Sequence, residues 1–286
     1  MQRVTTKPAA IDEHQRAANV VSFEDRLSRD LRWAMGEGSL FFEDRGAVQT
    51  TLRKITKRLT ELGIPYAVVG GMALFVHGLR RFTEDVDLLV TPKSLREIHD
   101  KLDGLGFVPP FTGSKNLRDT DSGVKIEFLV TGAFPGDGKP KPVAFPDPSA
   151  VSMENNGVRY INLPTLIELK LASGMTNPDR MKDLVDVLEL VKILNLPREF
   201  STKLNPYVHE KYDELWRDAR PNQKRYVRIL RPEDEREALD AMLADGVTHE
   251  AKRGAAGTYY LVTTDPDLAR KHDMHDETEF MIEPRK

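Results

Sequence analysis

Cysteine is absent from this 286-residue chain. That absence excludes disulfides, thiolate metal sites and a cysteine nucleophile, and it is compatible with the cytoplasm. Long apolar runs are missing too. The longest candidate, Ile64 to Val76, is interrupted by Pro65 and by Gly70–Gly71, and a membrane span needs roughly 18 or more apolar residues. The N-terminal stretch MQRVTTKPAAIDEHQRAANVV has no apolar core of the kind a secretory signal carries. Neither sign of charge dominates: the formal net charge is −3, so no global basic field announces a nucleic-acid partner. No Walker-type glycine–lysine loop occurs, and no serine stands in a nucleophile-elbow context. What is present, 40% apolar and 30% charged residues, is the composition of a soluble globular protein with a core. The expectation is a cytoplasmic protein with no membrane contact.

Periodicity orders the chain. Residues 1 to about 20 are polar and are expected to lack order. Ser22 is placed to cap one helix carrying Leu27, Leu31 and Met35, and a second helix over Gly46–Leu62 carries Val48, Leu52, Ile55 and Leu59. Tyr66–Val69 reads as a buried strand, Met72–His77 as a helix and Asp85–Val90 as a strand. Ser94 is placed to cap the next helix, with Leu95, Ile98 and Leu102; strands are expected at Phe107–Val108 and Val124–Val130. The Gly-, Pro- and Lys-rich stretch Thr131–Ala150 reads as a long loop, either functional or disordered. A strand over Val158–Leu163 and a helix over Thr165–Ala172 follow. Asn177–Pro178 then starts a helix whose apolar side is Met181, Leu184, Val185, Leu188 and Val191, and Asn205–Pro206 starts another. After Arg220–Pro221 a strand, a helix and a hairpin turned at GAAG form a small unit. The expected organisation is an extension over 1–45, a core over 46–220 and an α/β appendage over 221–286.

Chemistry concentrates in Tyr66–Val90, YAVVGGMALFVHGLRRFTEDVDLLV. Asp85 and Asp87 are two apart on a strand, so both carboxylates leave the same face and repel unless a cation lies between them. Hard divalent ions take carboxylate oxygens and complete their shell with phosphate and water. Alone, the triplet reads more readily as a strand end with two solvated acids. Its context favours a metal–phosphate site. Gly70–Gly71 joins a buried strand to a helix, where small residues let a phosphate approach backbone N–H groups. Arg80 and Arg81 in the turn are available to neutralise phosphate or to face solvent, and Thr83 opens the strand or caps the turn.

The pattern VVGGMALFVHG-LRRFTEDVDLLV resembles the signature of minimal nucleotidyltransferases of the DNA polymerase β-like superfamily. Its R-x-T-x-D-x-D form, Arg81, Thr83, Asp85 and Asp87, is most similar to AbiEii-type toxins of type IV toxin–antitoxin systems. The resemblance runs over roughly Leu52 to Leu194. It implies an α/β (α+β) fold, a small mixed β-sheet flanked by helices and followed by a helical segment. It also implies Mg²⁺ or Mn²⁺ as cofactor, an NTP substrate, Gly70, Gly71, Arg81 and Thr83 at the nucleotide, and a third carboxylate, for which Glu127 in VKIEFLV stands in the expected place. Asp85, Asp87 and Glu127 would then be metal ligands, with Glu127 as base. The segments LPTLIELKLASG and NPDRMKDLVDVLELV resemble the toxins' helical part and make Lys170, Lys182 and Asp183 further nucleotide-site candidates. A tRNA or protein hydroxyl is the implied acceptor, and an antitoxin the implied partner.

Two other classes remain open on the residues: a D-x-D glycosyltransferase, and a non-catalytic nucleotide- or partner-binding module. Lys170 is otherwise a stem packed on apolar surface, Asp183 and Asp186 exposed helix acids, and Glu127 a strand acid paired to Lys125. His77 reads as a packed residue, Lys139 and Lys141 as loop cations able to guide a polyanion, and HDMHDETEF, with His272 and His275, as a solvated tail.

Overall fold

The computed structural model describes residues 20–220, 224–231, 233, 235–250 and 257–277. The N-terminal 19 residues, expected to lack order, and most of the GAAG turn lie outside the described residues. The chain divides into two units, Met1–Ala219 and Arg220–Lys286.

In the first unit, helices α1 (Phe23–Arg29), α2 (Leu31–Phe42) and α3 (Ala47–Glu61) precede β1 (Tyr66–Val68) and α4 (Gly70–Val76). Next come β2 (Asp85–Val90), α5 (Pro92–Leu102), β3 (Phe107–Val108), β4 (Leu117–Asp119) and β5 (Lys125–Val130). A turn of helix, α6 (Pro148–Val151), leads to β6 (Ser152–Asn155), β7 (Val158–Ile161), α7 (Leu163–Thr176), α8 (Met181–Ile193) and α9 (His209–Asp218). The seven strands form one mixed sheet in the order β3-β4-β5-β2-β1-β7-β6. β1 runs antiparallel to β2 and parallel to β7, while β2 and β5 are parallel. The mixed sheet flanked by helices is the architecture expected. β1 is apolar at every position because neighbours cover both its edges and both its faces; Tyr66, Ala67 and Val68 are all buried.

Several local expectations change. The single helix expected near the N-terminus is two, because Asp30 leaves helical geometry and its carboxylate accepts from the Trp33 backbone N–H at 3.0 Å, capping α2. Leu31 and Met35 are 76% and 68% exposed; Phe23 and Phe41 are the buried anchors. Thr91 rather than Ser94 caps α5, its hydroxyl accepting from the Ser94 N–H at 3.0 Å. On α8 the expected apolar side is half wrong. Met181 and Val185 are exposed, while Asp183 and Asp186 are buried. The strands β4 and β6 were not foreseen.

The second unit holds a four-stranded sheet in the order β11-β8-β10-β9, from β8 (Tyr226–Leu230), β9 (Thr248–His249), β10 (Tyr259–Thr263) and β11 (His275–Asp276). Helices α10 (Arg236–Ala244) and α11 (Pro266–Lys271) complete it, with Leu230, Leu239, Met242, Leu261 and Met274 in its core. The hairpin pairing is present, Leu261 opposite His249. Within the stretch expected as a solvated tail, the described residues 272–277 are packed: His275 pairs with Val227, and the His272 ring lies 2.6 Å from Asp245 Oδ2.

Arg118 ties α1 to the sheet, its guanidinium donating to both Glu24 carboxylate oxygens at 2.8 Å. Burial would raise the Glu24 pKa, but the Arg118 hydrogen bonds outweigh it and hold the group down at about 2. A depressed carboxylate stabilises the fold above its unfolded pKa and loses that contribution as pH falls toward the folded value. Glu24→Gln is expected to lower stability at neutral pH by roughly 1–2 kcal/mol, given Glu24's partial exposure. In urea titrations the difference from wild type should shrink below about pH 4.5.

Candidate active site

Asp85 and Asp87 leave the same face of β2, with Val86 and Leu88 fully buried on the other. The parallel register sets Asp87 beside Glu127 on β5 and Asp85 beside Lys125. As a result one carboxylate oxygen each from Asp85, Asp87 and Glu127 lie within 4.8 Å of one another. It is the one such cluster of potential ligands among the described residues.

Each member of the triad is braced. Thr83 donates its hydroxyl to Asp85 Oδ1 at 2.8 Å. Lys125 forms an ion pair with Glu127, so the pairing weighed against a site role coexists with membership of the triad. Gly70 sits at φ +60°, and a Cβ there would stand 1.8 Å from Asp87 Oδ2; one on Gly71 would stand 2.6 Å from Thr83 Cβ. The glycine pair is therefore small to admit Asp87 and Thr83, a reason different from the phosphate approach expected. Burial, then the charges of Asp85 and Glu127, push the Asp87 pKa up to about 8.

These groups line a cavity of about 390 Å³ between the sheet and α7. Gly70, Lys170 and Asp183 also line it; Gly71, Arg81, Thr83 and Lys182 do not. Lys182 is exposed on α8. In its place Arg180 faces the cavity, its Nε donating to Asp183 Oδ2 at 2.9 Å.

Arg81 is not directed at the cavity. Its guanidinium makes a two-point contact with Asp186, at 2.8 and 2.9 Å. Lys170 Nζ bridges Asp183 Oδ1 and Asp186 Oδ2, both at 2.7 Å, with all three side chains buried. Burial works to raise the Asp183 pKa, and the charge and hydrogen bonds of Lys170 override it and bring it down. Asp186 is the residue sequence reasoning placed at the surface. Its spacing of three from Asp183 sets both acids on one helix face, but nothing in the sequence shows that Lys170 and Arg81 reach them. Lys115, from the turn before β4, stands exposed at the rim. The Thr131–Ala150 stretch is ordered, not disordered, and supplies Phe134, Pro135 and Phe145 to the cavity wall. No helix among the described residues is long and apolar enough to cross a membrane.

No protein-family description matches the chain, and no curated protein does. Solved structures similar in part include a provisionally assigned nucleotidyltransferase from Thermotoga maritima, 18% identical, covering 49% of this chain and 91% of that one, with a TM-score of 0.35. ANT(2")-Ia in complex with adenylyl-2"-tobramycin is 13% identical over 60% of this chain and 96% of its own, with a TM-score of 0.33. JHP933 from Helicobacter pylori is 16% identical over 68% and 96%, with a TM-score of 0.35. Likeness at this level carries no chemistry, so function is read from the site's own geometry.

Three outcomes test the electrostatics. Because the folded Asp87 pKa lies above its unfolded value, the cation-free protein should lose stability as pH rises from about 4 to about 8. A cation at the triad displaces that proton, so the melting-temperature gain from Mg²⁺ or Mn²⁺ should be larger at about pH 8.5 than at about pH 6, and absent in Asp87→Asn. Lys170→Met leaves two buried acids short of a partner and should cost about 3–5 kcal/mol in urea denaturation.

Proposed function

We propose that the chain is a metal-dependent nucleotidyltransferase that moves a nucleoside monophosphate from an NTP to an acceptor hydroxyl. The observation that carries this reading is the convergence of Asp85, Asp87 and Glu127 on one face of two adjacent parallel strands, at the floor of a cavity. The donor set suits Mg²⁺ or Mn²⁺: every ligand is a hard carboxylate oxygen, and burial with the charges of Asp85 and Glu127 pushes the Asp87 pKa up, a strain that a positive charge relieves. Asp85, Asp87 and Glu127 would hold the metal, which supplies positive charge to the transferring phosphoryl group.

The chain's own side chains do the rest. Thr83 fixes the Asp85 rotamer by its hydrogen bond, and Gly70 leaves room for the Asp87 carboxylate. Lys125 steadies Glu127, which takes the proton of the attacking hydroxyl. The acceptor oxygen forms a bond to the α-phosphorus as the α–β bridging bond breaks. The products are a nucleoside monophosphate ester and pyrophosphate. Lys170 and Arg180 keep positive charge at the α7 side of the cavity, anchored by Asp183. Gly70, Gly71, Arg81 and Thr83 thus act mainly by shaping the triad and its entry turn.

The resemblance to AbiEii-type toxins extends the proposal to a tRNA or protein acceptor, to an antitoxin partner and to a cytoplasmic setting. Its support here is the Arg81-Thr83-Asp85-Asp87 order, now joined to Lys170, Asp183 and Asp186 by the Arg81–Asp186 contact.

Incubation with each α-labelled NTP, Mg²⁺ or Mn²⁺, and total tRNA or total protein tests the reading. Label should appear on one acceptor pool, vanish in Asp85→Ala/Asp87→Ala, and fall roughly 10²–10⁴-fold in Glu127→Gln. Transfer undiminished in the double variant would sink the mechanism. Absence of transfer to any acceptor would put the binding-module reading ahead.

A further inference from the structure

The cavity has two chemically different sets of lining residues. One is the three carboxylates with Lys170 and Arg180; the other is the apolar set Phe134, Pro135, Phe145, Leu166 and Leu169. Phe134, Pro135 and Phe145 all come from the loop between β5 and α6, and both phenylalanines are only half-buried, so their rings keep accessible surface on the cavity side. Two partly exposed aromatic rings on the wall of a polar site offer apolar surface that a ligand can cover.

The loop is built to hold them there. Gly132 N–H donates to Phe145 O at 2.8 Å and Phe145 N–H to Ala133 O at 2.8 Å, closing the loop at its base. The Thr131 hydroxyl donates to Pro146 O at 2.9 Å. Inside the loop, the Lys141 side chain is only 5% exposed, and its Nζ donates to Pro135 O and to Asp137 Oδ1, both at 2.5 Å. Two outer ties complete the frame: Asn177 Nδ2 donates to Gly136 O at 3.4 Å and Asn205 Nδ2 to Pro142 O at 3.3 Å. A cationic side chain buried within a surface loop and satisfied by the loop's own carbonyl and carboxylate acts as an internal strut. A frame of this kind lowers the ordering penalty of binding, as expected of a preorganised wall.

We propose that Phe134 and Phe145 form the surface that takes the nucleobase of the NTP, with Lys141 as the positioning residue that holds the loop. This rests on the nucleotidyltransferase reading and names the part of the substrate that each set receives. With a cation held by the triad, a ligand that satisfies both sets is anionic in one part and flat and unsaturated in another, which describes a nucleoside triphosphate. Every base has a π-face, so such a wall binds bases in general, and any preference among them arises from the polar edge groups around it.

The test uses the full-length chain with Mn²⁺ and titrates ATP, GTP, CTP, UTP and inorganic tripolyphosphate by calorimetry. Wild type should bind at least one NTP more tightly than tripolyphosphate. Phe134→Ala and Phe145→Ala should each weaken that NTP by roughly 5- to 100-fold, the range found for losing one base–aromatic contact, and leave tripolyphosphate unchanged. Phe145→Leu keeps apolar volume and removes the ring; it should still weaken NTP, whereas a merely structural wall would be restored by it. Lys141→Met should raise KM for the NTP with kcat within about threefold, and Lys141→Arg should recover it in part. Equal affinity of wild type for NTP and tripolyphosphate, or phenylalanine variants indistinguishable from wild type, would overturn the base wall while leaving nucleotidyl transfer standing. Variants that bind NTP normally but lose labelling of the acceptor would assign the wall to the acceptor and overturn the proposal. Binding of neither compound would remove the nucleotidyltransferase reading itself.

Discussion

Mutual repulsion among Asp85, Asp87 and Glu127 is the constraint on which the first unit depends. Like charges this close favour the ionised state only when opposite charge or hydrogen bonds offset them. The in-register parallel pairing of β2 and β5 leaves the three carboxylates no route apart, since a slip of one residue would turn the whole apolar set to the wrong face. The neighbouring structure follows from holding that geometry. Thr83 and Lys125 each restrain one carboxylate, and Gly70 surrenders its side chain to the third. The positive φ at Gly70 lets the backbone turn into α4 directly behind Asp87. On the proposed reading, a bound cation relieves that repulsion.

A second electrostatic structure stabilises the first at a distance. The turn that delivers β2 carries Arg81, and Arg81 grips Asp186 on α8, which shares Lys170 with Asp183. Four elements are thereby joined through paired charge centred on the buried Lys170, Asp183 and Asp186: the β2 turn, α7, α8 and the short 3₁₀ turn before α8 that bears the exposed Arg180. Removing any one partner strands a buried charge, so the network specifies the position of the helical segment relative to the sheet more than it adds net stability. Within one stretch, residues 81 to 87, the sequence therefore encodes both two acids of the triad and the clamp that ties the helices to the sheet.

The legibility of the sequence follows from which periodicities carry chemistry. Asp85 and Asp87 were readable because a strand repeats every two residues, and two acids amid Val86, Leu88 and Leu89 have no apolar explanation. Glu127 was readable only through a resemblance, since nothing in VKIEFLV states which strand pairs with which. Asp186 was not readable. A buried acid on an amphipathic helix looks like a solvated one until its partners are known, and those partners lie 105 and 16 residues away in sequence. The same ambiguity misplaced the apolar side of α8, where Met181 and Val185 face solvent and the acids face inward. At the N-terminus the spacing of Leu27, Leu31 and Met35 mimicked one helix, while the capping carboxylate of Asp30 divides it into two.

The distribution of charge also constrains how a substrate would be held. Arg81, Lys170 and Arg180 are each engaged with Asp183 or Asp186, so their positive charge is largely offset before any ligand arrives. Lys115 is exposed at the rim, where water screens it. On the proposed reading, neutralisation of a triphosphate then falls chiefly to the cation held by the triad, and affinity for the phosphates is inseparable from affinity for that cation. Discrimination of an NTP from bare polyphosphate has to come from the apolar lining of the cavity. That division gives a physical reason for a long loop stiffened from within at Lys141: a wall that supplies selectivity through apolar contact works only if it is already in place.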